Sequence, residues 1–468
     1  MPFRSLTSTV SAFTRTMESQ PLELGRPAYA HHNWKDEFRV STSYEVETLA
    51  STFGNREQYT ALDVRPLRAA SFSAISDEIK AGFLEQFLAR TSPDISATLA
   101  NAYDFFGFGL GKSWKLPLDC DSTEIVNMTA TYIVVEDLDT RRFFEGQGVF
   151  LVPPYNTPLL RLNGTTELPA LYAVIQPGSM TAGDPNRLVL TPDPQGFQTD
   201  VDPPLALGWR VVPVMDCLPL LEVPSSYTTA KVIEAEISGE EYPGINVIPS
   251  SQPAGTTPSG YSTFTGQSGA ARLVFPVDHN WAEALKVSYV RPGNSGAGSL
   301  TRMSGFRPRW SMEVTSLTVT RQEWYSILQA FDSTQGGARP MWVVSPTVIY
   351  EKAQRASSTR LVVPIGGNLQ DFLNTTTATA FQYDGDWYVN EISAGSPVVG
   401  GAGRVTAWNL DMHNTVFQIP GTNLTPCLHR AFAGRFSGAL EEKWITRDIC
   451  EVSFTIVECE DKVPEELT

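Results

Sequence analysis

Residues 320–346 read TRQEWYSILQAFDSTQGGARPMWVVSP, a short helical pattern that leads into a tryptophan and a proline. Thr320 and Glu323 have the spacing of a capping box, in which each side chain satisfies the other residue's backbone amide. Trp324, Ile327, Leu328 and Phe331 then recur at i, i+3, i+4, i+7, one apolar stripe along a helix. Upstream stand FRPRWSMEV, with Arg307, Pro308 and Arg309, and DHNWAEALKV, with His279–Trp281. Downstream, RDICEVSFTIVE sets Cys450, Val452, Phe454 and Ile456 against Glu451, Ser453 and Thr455, the period of two that marks a half-buried strand.

The same succession stands earlier in the chain. HHNWKDEFRV contains His32–Trp34, and VRPLRAASFSA contains Arg65, Pro66 and Arg68. Ser76 then precedes Ile79, Phe83, Leu84, Phe87 and Leu88, a second one-sided helical stripe. An enlarged loop, TSPDISATLANAYDFFGFGLGK, separates it from SWKLPLD, with Trp114 and Pro117, and AKVIEAEIS closes the series by alternation. Five features in one order predict an internal duplication. Trp34, Trp114, Trp281 and Trp342 take matching places, which favours shared packing roles over stacking on a ligand. Arg65, Arg68, Arg307 and Arg309 alternate with packing residues, placed to meet acids inside the chain or between subunits.

Elsewhere, short apolar runs such as TYIVVEDL, GVFLVPP, RLVVPIG and GRVTAWNL are broken by Gly, Pro and Asp, and the 35 Gly and 33 Pro suit a chain rich in turns. The expected class is mainly β: two related antiparallel β-sandwich or barrel modules, each with one short amphipathic helix, joined by a flexible linker. The boundaries read as an N-terminal arm over 1–29, a first module over 30–240, a linker rich in Pro, Gly, Ser and Thr over 241–270 and a second module over 271–468.

A formal net charge of -16 repels phosphate, which argues against direct nucleic-acid binding. No run of about 18 apolar residues appears, so neither a membrane span nor a secretory signal is expected, and the chain reads as made in the cytoplasm. Cys120, Cys217, Cys427, Cys450 and Cys459 are scattered and read as buried small residues. His31, His32, His279, His413 and His429 fit no metal-binding spacing, and GLGKS at Gly109–Ser113 lacks the spacing of a phosphate loop. Carboxylate pairs such as Asp384/Asp386 arise freely among 51 acids. No catalytic residue, metal or cofactor is expected. Two other classes, a carbohydrate-binding or receptor-binding adhesin and a β-rich glycoside hydrolase, would show exposed loop aromatics and a carboxylate-lined cleft respectively.

The order His-Asn-Trp, Arg-Pro-Arg, the helix TRQEWYSILQAF and then MWVVSP resembles minor tail or tail-tip proteins of long-tailed bacteriophages, most clearly over 274–346 and more weakly over 30–117. The resemblance implies a structural virion component near the distal end of a tail. Such a protein would act through assembly contacts with itself and with other tail proteins, and would bring no catalytic residues. Two similar modules per chain would let three chains form a ring with approximate sixfold symmetry.

Overall fold

The structure is a computed structural model that describes residues 38–50, 57–77, 114–152, 160–162, 166–168, 171–180, 184–191, 193–196, 201–202, 205–218, 225–229, 232–242, 247–267, 269–277, 281–286, 309–366, 368–420, 424–425 and 427–459. Strands dominate it, and their pairing is almost wholly antiparallel. In the first half the main ones are β1 (Phe38–Ser43), β2 (Leu67–Asp77), β3 (Thr123–Met128), β4 (Tyr132–Val135), β5 (Gly148–Val152), β6 (Leu171–Ile175), β7 (Arg187–Thr191), β8 (Arg210–Cys217), β9 (Ser225–Thr229) and β10 (Val232–Glu240). The second half contributes β11 (Trp281–Lys286), β12 (Arg309–Thr320), α1 (Arg321–Ser333), β13 (Met341–Tyr350), β14 (Arg360–Pro364), α2 (Leu369–Thr375), β15 (Ala378–Tyr383), β16 (Asp386–Val399), β17 (Val405–Met412), β18 (Leu428–Phe436), β19 (Leu440–Trp444) and β20 (Ile449–Glu458).

Each half builds a ring of six strands. In the first, β3 pairs with β4, β4 with β7, β7 with β6, β6 with β5, β5 with β8, and β8 returns to β3. In the second, β13 runs on through Ala353–Ser357, which pairs with β14; β14 pairs with β17, β17 with β16, β16 with β15, β15 with β18, and β18 with β13. Both rings follow the chain order first, second, fifth, fourth, third, sixth. Ile133, Leu151, Leu188, Leu190 and Trp209 are among the side chains of the first core, and Leu361, Val363, Phe381, Trp408 and Leu410 of the second. A ring of strands abolishes edges, so short alternating segments suffice to fill each interior.

The other strands named above form one sheet across both halves, in the order β9, β10, β2, β1, β19, β20, β12, β11. The two halves meet inside it where β1 lies against β19, Phe38 opposite Trp444. The alternation read in the sequence produces this face: Cys450, Val452, Phe454 and Ile456 of β20 are all buried. Beneath lies a core shared by both halves, in which Phe38, Val40, Leu118 and Val214 join Trp324, Phe331, Phe436 and Trp444. The helix α1 forms as its pattern predicts. The side chain of Thr320 accepts the Glu323 amide, Glu323 accepts the Thr320 amide at 2.8 Å, and Trp324, Ile327, Leu328 and Phe331 are buried. Gly337, at φ 101, ends the turn beyond it, where an added Cβ would collide with the Phe436 carbonyl.

Three expectations need correcting. Within 241–270, the described residues are tied to the fold at several points rather than forming a free spacer, although many of them stay exposed: Ile248 is buried in the shared core, Ser251 donates its hydroxyl to Asp332 of α1 at 2.6 Å, and the Gly255 amide donates to the Ser333 carbonyl at 2.8 Å. A buried Asp332 carboxylate needs donors, and this strap supplies them. Ser76, expected to cap a helix, lies within β2; Ile79, Phe83, Leu84, Phe87 and Leu88 lie outside the described residues. Cys427 is exposed, whereas the other four cysteines are buried; all five are free thiols.

Replacing Phe331 by Ala is expected to lower stability by about 3–5 kcal/mol through the cavity it leaves. Urea denaturation measures this, and Phe331→Leu should cost clearly less.

Candidate functional site

The site that joins the halves is built from charge in the shared core. Asp121 sits in a short 3-10 turn, Asp119–Asp121, just ahead of β3, and Arg142 lies in the loop between β4 and β5. Arg321 opens α1 and Glu442 is central in β19. Exposure of all four is 5% or less. Arg142 donates to Asp121 at 3.0 Å and to both oxygens of Glu442 at 2.7 and 2.8 Å. Arg321 donates to the other Asp121 oxygen at 2.9 Å and to the Arg447 carbonyl at 2.6 Å. Its guanidinium lies over Trp444, 4.0 Å from the ring centroid, and Trp444 donates its indole N–H to Glu442 at 3.2 Å. Each charge is thereby paired across the two halves, as a buried charge requires.

The electrostatics follow from this geometry. Burial alone would raise the Asp121 carboxyl, but Arg142 and Arg321 outweigh it and hold it below its ordinary value. Burial works against the charge on Arg142, yet Glu442 and Asp121 raise its pKa. A cleft of about 440 Å³ opens beside the network, walled partly by Arg68, Arg141 and Arg142. These guanidiniums are engaged within the chain: Arg68 by the Ile248 carbonyl at 2.8 Å, Arg141 by the Arg447 carbonyl at 3.1 Å, Arg142 by the two carboxylates.

A second arrangement occurs once in each half. Glu241, just past β10, is buried and accepts the Arg68 amide at 3.1 Å and the Ile248 amide. Burial raises its carboxyl, against the pull of Arg68. Glu458, at the end of β20, is likewise buried and accepts the Trp310 amide at 2.8 Å. Cys217 is bridged to Glu241, and Gly434 to Glu458. No protein family matches the chain, and no curated protein does.

These matched glutamates give a register against which the residues singled out in the sequence can be placed. Arg68 and Trp310 are equivalent, so Arg309 stands at the place of Leu67. Arg68 faces Thr42 and Trp310 faces Leu285, which puts Trp281 at the place of Phe38 rather than of Trp34. Trp114 faces Cys217, as Met341 faces Gly434, so Trp114 is one residue out of step with Trp342. A one-residue step turns a strand's side chains to the opposite face, so the tryptophans do not share places after all. Trp342 is buried and donates its indole N–H to the Phe264 carbonyl at 3.3 Å, whereas Trp281 is 37% exposed. Arg65 is exposed and Arg309 half-buried; Trp34 and Arg307 lie outside the described residues. The sequence reading missed Arg142, Asp121, Arg321 and Glu442. Their signal was charge set in apolar surroundings, as in LPLDCDSTEIV and DTRRFFEG.

Asp121→Asn is expected to cost about 3–5 kcal/mol at neutral pH, because it strips compensation from two buried arginines. Since folding lowers the Asp121 pKa, its contribution is complete above the ordinary value of 3.8 and fades as pH falls through the folded value, so the penalty should shrink in acid. Chemical denaturation of both proteins across that range measures it.

Proposed function

We propose that the chain is a structural component of a bacteriophage virion, a tail-tip or distal tail protein that assembles into a ring and connects the tail tube to the distal tip or fibres. It works through assembly contacts, with other copies of itself and with further tail proteins, and not through catalysis. The observation that carries the reading is the repetition of one strand plan. Four sheet strands and a six-strand ring recur in both halves with the same connectivity and the same buried glutamate. This supports an internal duplication with two quasi-equivalent modules per chain, so that three chains would present six modules around one axis. Such a plan suits the meeting of a sixfold tube with a threefold tip.

A receptor-binding or carbohydrate-binding adhesin is the competing reading. Exposed Trp281 gives it a foothold, although that residue lies on a sheet strand. Light scattering on the purified protein, alone and with tail proteins of the same virion, separates the two. A trimer or hexamer, formed alone or only with those proteins, is expected. A persistent monomer that binds glycans would overturn the proposal in favour of the adhesin.

A further inference from the structure

The eight-strand sheet divides into two units of four with the same internal order. One is β9, β10, β2, β1 and the other is β19, β20, β12, β11. The register agrees as well. Tyr227 faces Ile233 in the first hairpin and Trp444 faces Cys450 in the second, each eight residues ahead of the matched glutamate, Glu241 or Glu458. Within the chain, the last strand of the first unit, β1, pairs with the first strand of the second, β19. At the two ends of the sheet the complementary strands remain. Among the described residues, β11 pairs only with β12, and β9 only with β10.

The outer surface of β11 shows what is missing there. Trp281 and Leu285 occupy the places of Phe38 and Thr42, which β19 and the core cover to 1% and 0% exposure. Trp281 and Leu285 themselves are 37% and 40% exposed. An edge strand carrying exposed apolar residues is a template for another strand and a liability if left uncovered. We infer that β11 of one copy pairs antiparallel with β9 of the next copy, repeating between chains the junction that β1 and β19 make within one. The internal junction sets Phe38, Arg39 and Val40 opposite Trp444, Lys443 and Glu442. The equivalent contact sets Trp281, Ala282 and Glu283 opposite Tyr227, Ser226 and Ser225 of the neighbour. Head-to-tail pairing of this kind closes a ring or continues as a filament.

The two junctions differ in one respect. Ser225 stands where Glu442 stands, so no carboxylate is available to a counterpart of Arg142, and the contact between copies lacks the charge network that locks the halves. Because it joins separate molecules, it comes apart on dilution, whereas the junction within one chain does not.

This inference rests on the ring proposed above and deepens it. The test is a double-cysteine variant, Ala282→Cys with Ser226→Cys, made on a Cys427→Ser background to remove the exposed thiol. Arg39→Cys with Lys443→Cys, at the corresponding place of the internal junction, is the positive control and should close within one chain. Under mild oxidation the in-register pair is expected to give a ladder of covalent oligomers. That ladder should be lost in either single variant and when Ser226→Cys is replaced by Thr228→Cys. Light scattering is run on the same samples. A ring without the in-register crosslink would overturn this pairing and leave the assembly reading standing. A monomer at every concentration, with the control crosslink intact, would overturn both.

Discussion

A guanidinium fully withdrawn from water has to be neutralised where it lies, and Arg142 is neutralised from both halves of the chain at once. Asp121 comes from the first half and Glu442 from the second, and Arg321 of the second half completes the set by binding back to Asp121. The attraction between such groups is largely offset by the cost of drying them, so the network adds less stability than its short distances suggest. Its stronger effect is selection. Asp121 and Glu442 meet the same arginine in the docking that sets β1 on β19 with Phe38 opposite Trp444, and a docking that separated them would leave Arg142 buried without its partners.

With that register fixed, two similar modules behave as one sheet instead of two bodies on a tether. The strap over 247–267 works in the same sense, since Asp332 at the end of α1 draws in Ser251 and also accepts the Tyr44 hydroxyl at 2.9 Å. The consequence is geometric. Strands β11 and β9, each paired on one side only among the described residues, are held at opposite ends of a continuous sheet, at an angle to each other that the core sets. Assembly into a closed ring depends on such a constant angle between joining surfaces, because a variable one gives open chains.

Much of this was legible in the sequence where periodicity carried it. The helix α1 and the strand β20 announce themselves by spacing, because their buried faces are contiguous and their exposed faces tolerate charge; β10 forms where the alternation of AKVIEAEIS predicts a strand. The anchors chosen for the proposed repetition do not match the strand registers. His-Asn-Trp and Trp-x-x-Pro are conspicuous, yet the strands align Trp281 with Phe38 and Trp114 with Met341. The equivalences that matter are Glu241 with Glu458 and Tyr227 with Trp444, ordinary residues whose role comes from the ladder they sit in. The charge network lay beyond periodicity altogether. Its members are scattered from Asp121 to Glu442, and only the folded chain brings them together.

Calorimetry of the whole chain tests most directly whether the halves are one cooperative body. The buried network, the shared core and the strap predict a single transition whose calorimetric and van't Hoff enthalpies agree. Two separable transitions, one for each half, would contradict the account, because the modules would then be independent domains that merely touch.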